Sequence, residues 1–159
     1  MSERRKISLT VNGKPYEIEV EPRRTLVDAI REDCGLTGTH IGCEHGVCGA
    51  CTVLLDGVPV RACLMFAVQA AGRAVRTVEG LAEGDRLHPL QLAFMEHHGL
   101  QCGFCTPGFL MLAAGVLEAN PGIGEAELTE ILSSNLCRCT GYQNILKAVH
   151  AAAAAMKAR

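Results

Sequence analysis

Eight of the nine cysteines in this 159-residue chain fall into two spaced sets, and thiolates at such spacings are above all metal ligands. The first set is Cys43, Cys48 and Cys51 in a C-x4-C-x2-C run, with Cys63 after eleven further residues. Gly42, Gly46 and Gly49 are interleaved with it. This is the plant-type spacing for a [2Fe–2S] cluster, in which a tight loop supplies three thiolates and a separate segment the fourth. A backbone wrapped that closely needs positive φ in places and must turn amide N–H groups toward sulfur, which is what the glycines allow. The competing readings are a structural zinc site and cysteines buried as small hydrophobes. Zinc sites usually pair two short knuckles, and a lone triplet with a distant fourth cysteine fits that pattern poorly.

The second set is Cys102-x2-Cys105 with Cys137-x-Cys139. Each pair precedes an expected helix, so both are expected at helix N-termini, where free N–H groups and the dipole favour thiolate. Spacing alone leaves a second two-iron cluster, a zinc site and a redox pair open. A thioredoxin-like redox pair would want a βαβ context, whereas Cys102 lies between helices. Cys34, the ninth cysteine, belongs to neither set and is read as a buried inert thiol. His40 and His45 flank the first set, but its four ligand positions are already filled by cysteine, so neither is read as a ligand. Arg138, between two ligands, is read as a partial charge offset or a solvated side chain.

The elements that must position these residues change character near the middle. Residues 7–11 and 16–20 alternate around Asn12-Gly13, the strongest short hairpin signal. Thr25 reads as the N-cap of a helix that ends before Gly35. Residues 52–55 and 58–62, joined by Asp56-Gly57, form a second hairpin that carries Cys51 in and Cys63 out. Two hairpins, one crossing helix and a metal loop make a β-grasp-like unit. Beyond Glu79-Gly80 the period becomes helical. Helices are expected from Pro89 to about His97, over 107–118, over 125–134, and from Gly141 to about 158, with Lys157 and Arg159 at a C-terminus that suits cations. The run 151–155 is explained only by the helix propensity of alanine. The fold class is α+β, with a β-grasp domain over residues 1–79 and a four-helix-bundle domain over 80–159.

Composition narrows the function classes. A net charge of −2 gives no electrostatic case for nucleic acid. Aromatics are 4% and Trp is absent, so the cores are built from Ala, Leu, Val and Ile. Two units of this size are marginal on burial alone and commonly rely on a metal or cluster. The opening residues run straight into a strand pattern without an apolar leader segment, which speaks against secretion and disulfides. No apolar stretch is long enough to span a bilayer. The expected setting is the cytoplasm, with thiolates bound to metal.

The run Gln101-Cys102-Gly103-Phe104-Cys105-Thr106-Pro107-Gly108, with Asn135-Leu136-Cys137-Arg138-Cys139-Thr140-Gly141-Tyr142 behind it and the 42–51 loop ahead of it, resembles the iron–sulfur small subunit of the molybdenum hydroxylases. This is the xanthine oxidase family, and the likeness is to the small-chain type of aerobic carbon monoxide dehydrogenase. The resemblance implies that Cys43, Cys48, Cys51 and Cys63 hold one [2Fe–2S] cluster, and that Cys102, Cys105, Cys137 and Cys139 hold a second. It implies that Gln101 and the backbone of Cys139 touch molybdopterin, as the cytosine dinucleotide, on a large partner subunit. It also implies that the turn at His45-Gly46 faces FAD on a medium subunit, a cytochrome being the other possible acceptor. Electrons would pass from molybdenum through the bundle cluster and then the β-grasp cluster to the acceptor. The chain itself would perform no bond chemistry, so no catalytic residue is expected. Two other classes remain in view: a free-standing two-cluster ferredoxin, and a zinc-binding interaction module.

Overall fold

The two hairpins form because both turns accept left-handed backbone. Asn12 (φ 50°) and Gly13 (φ 77°) join β1 (Arg5–Val11) to β2 (Lys14–Val20). Asp56 (φ 49°) and Gly57 (φ 84°) join β3 (Thr52–Leu55) to β4 (Val58–Arg61). The computed structural model describes residues 3–158; Arg159, expected at a helix end, lies outside the described residues.

A fifth strand, β5 (Ala74–Arg76), was not expected from the sequence. It pairs parallel with β1 and antiparallel with β3, so that the five-stranded order is β2-β1-β5-β3-β4. Three residues show too little alternation to announce a strand, yet this one joins the two hairpins into one sheet. The crossing helix is α1 (Leu26–Asp28), which runs on as a wider π-type turn over Ala29–Asp33. Thr25 caps it, accepting from the Asp28 amide at 3.2 Å. Leu26, Val27, Ala29 and Ile30 pack on Leu9, Val11, Val20, Val53, Leu55 and Val75 to make the first core.

The second half comprises α2 (Pro89–Glu96), α3 (Thr106–Ala119), α4 (Glu125–Leu132) and α5 (Gln143–Lys157). His88 and Gln91 cap α2 reciprocally. Phe94, Phe109, Met111, Leu117, Leu128, Leu132, Ile145 and Val149 fill the second core. Helix propensity does not fully account for the alanine run on α5. Ala151, Ala152 and Ala155 line the groove against Pro89, Leu92 and Ala93 where α2 packs on α5, and their small side chains let the helices approach closely.

The halves meet across β3, all four of whose residues are buried: α1 covers one face of the sheet and α3 the other. Leu54 belongs to the helical core while its neighbours Val53 and Leu55 belong to the sheet core. Close approach needs glycine on α3. A Cβ at Gly108 would lie 2.2 Å from the Gly49 carbonyl, and one at Gly115 would lie 2.6 Å from Leu54 Cδ2. Arg76 and Glu118 close the same seam with an ion pair of 2.5 Å. Among the described residues no helix is long and apolar enough to cross a membrane.

Candidate metal centres

The nine thiols are all free, and eight of them stand in four touching pairs. Cys43 meets Cys48, Cys51 meets Cys63, Cys102 meets Cys139, and Cys105 meets Cys137. The Cys102 and Cys139 sulfurs are 3.5 Å apart. Two thiolates on one tetrahedral ion, each at ~2.3 Å, would be about 3.7 Å apart. Among the described residues no three His, Cys, Asp or Glu side chains gather round one ion position. Thiols that come two by two suit a pair of irons, each taking two of them, better than a single zinc.

The first quartet is built by its loop. Glu44 (φ 58°), Gly46 (φ 84°) and Gly49 (φ 75°) carry the left-handed turns. The Cys48 amide donates to the Cys43 sulfur at 3.4 Å. Amides of Cys48, His45 and Val47 draw the Cys43 thiol down to about 6. A Cβ at Gly42 would stand 3.0 Å from the Cys48 sulfur, so the cradle is shaped around sulfur. Cys51 leads into β3 and Cys63 follows β4; both are buried, and desolvation pushes Cys51 up to about 12.

The second quartet differs from the expectation of two helix starts. Cys105 is the N-cap of α3, but Cys137 and Cys139 lie in the connection between α4 and α5, ahead of the α5 N-cap Tyr142. Tyr142 has φ 70°, and its hydroxyl accepts from the Cys137 amide at 3.1 Å, which ties the connection to the helix start. Thr140 takes the place of a helix terminus as donor: its hydroxyl is 3.1 Å and its amide 3.4 Å from the Cys137 sulfur. Burial pushes the Cys137 thiol up, but Thr140 and the Cys139 amide outweigh it and hold the thiol below its ordinary value. Burial raises Cys105 to about 12. The Phe104 amide lowers Cys102, while contact with Cys102 raises Cys139. Each quartet therefore holds a thiol drawn below its ordinary value by backbone amides, Cys43 or Cys102, and one that burial pushes up, Cys51 or Cys105.

Gln101, Cys102 and Cys139 are exposed, and so are Leu100, Phe104 and Leu136, close to them in the chain, at 40%, 48% and 49%. His45 is exposed and its ring is bonded to the Cys43 carbonyl; Gly46 is backed by Leu64. His40 is held by Phe104, with Nδ1 2.8 Å from the Phe104 carbonyl and its ring stacked on Phe104 at 4.8 Å. Cys34 is half-buried rather than fully buried as expected; burial and then Asp33 raise its thiol to about 11. The contacts between the quartets were not expected: the Leu136 amide donates to the Cys48 carbonyl at 2.9 Å, and Asn135 reaches the Gly49 carbonyl at 3.4 Å. The only signal for them in the sequence is that Asn135-Leu136 directly precedes a ligand.

A β-grasp sheet and a helical bundle, each presenting four paired thiols, define the class of two-cluster iron–sulfur proteins. Residues 9–77 match the 2Fe-2S iron-sulfur cluster binding domain family and residues 77–150 the [2Fe-2S] binding domain family. The nicotine 6-hydroxylase small subunit of Paenarthrobacter nicotinovorans is 57% identical over 148 residues, which cover 93% of this chain and 89% of that one. Quinoline 2-oxidoreductase from Pseudomonas putida 86 superposes with a TM-score of 0.92 at 53% identity, over 99% of this chain and 98% of the matched one. The aldehyde oxidoreductase of Desulfovibrio gigas gives a TM-score of 0.91 at 41% identity over 97% of this chain but only 17% of that much longer polypeptide. The chain belongs to the small iron–sulfur subunits of the molybdenum hydroxylases and is an electron-transfer subunit of an oxidoreductase.

Proposed function

We propose that Cys43, Cys48, Cys51 and Cys63 hold one [2Fe–2S] cluster and Cys102, Cys105, Cys137 and Cys139 the other, in domains divided at residues 79 and 80. The observation that carries this reading is the sorting of eight thiols into four pairs, two in each half. A bound cluster supplies a one-electron couple at each site. The chain's residues orient and insulate these couples. Amides and the Thr140 hydroxyl aim at sulfur, the β3–β4 hairpin excludes water from Cys51 and Cys63, and the Leu136–Cys48 hydrogen bond joins the halves.

The exposed edge at Gln101, Cys102 and Cys139 is the face for the molybdopterin, as the cytosine dinucleotide, on the large subunit. The exposed apolar side chains close to it in the chain support a subunit interface over the surface of a free carrier, as does a nearly neutral charge. The turn at His45-Gly46, beside exposed Val47 and Leu64, is the face for the acceptor, FAD on a medium subunit. The proposed setting is the cytoplasm, a reducing compartment that suits thiolates bound to metal. Nicotine and quinoline, named in two of the relatives, are N-heterocycles, and that is the substrate class proposed for the complex. Purifying the native assembly tests the reading. It is expected to carry about four irons per copy of this chain, with molybdenum and flavin on copurifying subunits. A chain that purifies alone, with its iron and without a molybdenum-bearing partner, would sink the subunit reading.

A further inference from the structure

The seam between the halves carries a cation that the ligand assignment does not use. Arg61 ends β4, two residues before Cys63. Its Nη1 donates to the hydroxyl of Thr52, the neighbour of Cys51. Its Nη2 donates to the Ser134 carbonyl at 2.9 Å and to the Ser134 hydroxyl at 3.2 Å. Ser134 directly follows the C-cap of α4, where a helix leaves carbonyls without partners and its dipole is negative. A planar fork can join an acceptor in one half to an acceptor in the other; the point charge of lysine cannot do so in the same geometry.

Asn135 works at the same place. It is 1% exposed, and its amide donates to the Gly49 carbonyl, which also accepts the Thr52 hydroxyl at 2.7 Å and the Thr52 amide at 3.2 Å. A Cβ on Gly49 would stand 2.1 Å from Asn135 Oδ1 and 2.9 Å from Arg61 Nη1, so both side chains close on that glycine. The next residue donates the Leu136–Cys48 hydrogen bond and is followed by Cys137.

We infer that Arg61 and Asn135 are positioning residues for electron exchange between the halves: together they pin residues 134–136 against residues 49–52 and keep the Leu136–Cys48 hydrogen bond closed. This rests on the two-cluster reading above. The exchange moves one electron between the two sites, one being oxidised as the other is reduced, with no bond made or broken.

The test is low-temperature EPR of the full chain, loaded with iron and sulfide and reduced with dithionite. The wild type should show two centres with magnetic splitting between them. Arg61→Gln should keep its iron and the line positions of each centre but lose the splitting. Arg61→Lys, which keeps the charge without the fork, should lose most of it. Full splitting in Arg61→Gln, or full recovery in Arg61→Lys, overturns the inference. Should Arg61→Gln fail to take up iron, Asn135→Ser reads the same quantity with Arg61 intact, and unchanged splitting there overturns it equally. A wild type with a single iron centre would sink the two-cluster reading and the inference with it, so the two failures are distinct.

Discussion

The front and back halves arrive at the same thiol chemistry by different routes. In front, three cysteines lie within residues 43–51, and backbone conformation does the shaping, through left-handed Glu44, Gly46 and Gly49. The fourth arrives at the far end of a single hairpin. At the back, two separate helix connections each give two cysteines, and the packing of the bundle has to bring them together. The consequence is visible in exposure. Cys51 and Cys63 are sealed under the hairpin, whereas Cys102 and Cys139 remain at the surface. In front the two thiols at the hairpin ends are sealed and the two loop thiols half-buried; at the back two thiols lie fully at the surface and leave the wider edge for a partner to cover.

The sharpest way to break this comparison is Cys48→Ser. It should empty the front site and leave the back site intact, so that iron falls by about half and one of two EPR signals disappears. Substrate should still reduce the remaining centre, while turnover with the usual acceptor stops. Full turnover would show that the two halves do not act in series.

Gly49→Ala strikes the seam and the front loop together, because both close on this residue. The residue has φ 75°, and a Cβ would collide with Asn135 Oδ1 at 2.1 Å. The left-handed conformation costs an alanine about 1–2 kcal/mol before the clash is counted. A drop in Tm of several degrees is expected in thermal melts, and an unchanged Tm would mean that the halves are held together elsewhere.

Thr140→Val is the mildest change and the most specific. It removes the hydroxyl 3.1 Å from the Cys137 sulfur and leaves the amide in place. Hydrogen bonds to a ligand sulfur favour the reduced, more negative state, so the back centre should fall in potential. The shift should be on the order of 50 mV, the one-electron equivalent of a ~1 kcal/mol hydrogen bond. The front centre should not move, and a shift there in a redox titration would show the two sites to be electrostatically merged.

Much of this was legible because the decisive signals are short. Asn12-Gly13 and Asp56-Gly57 place the hairpins, Thr25 and Pro89 start helices, and the x4-x2 spacing declares a cluster loop. Those patterns depend on backbone dihedrals and on neighbours a few residues away. β5 was invisible because three residues carry no period, and its place follows from edges presented by β1 and β3. Nor did any local feature mark His40 as a partner of Phe104, or Arg61 as a partner of Ser134, 73 residues on.

The order and number of thiols, with the types of element that carry them, were written in the chain itself, because ligand spacing and turn chemistry act over a few residues. Which thiol faces which, which pair lies open at the surface, and how Asn135 and Leu136 join one half to the other were decided only by folding. Those relations depend on α3 lying across β3, and packing between segments far apart in sequence leaves no pattern in either segment alone.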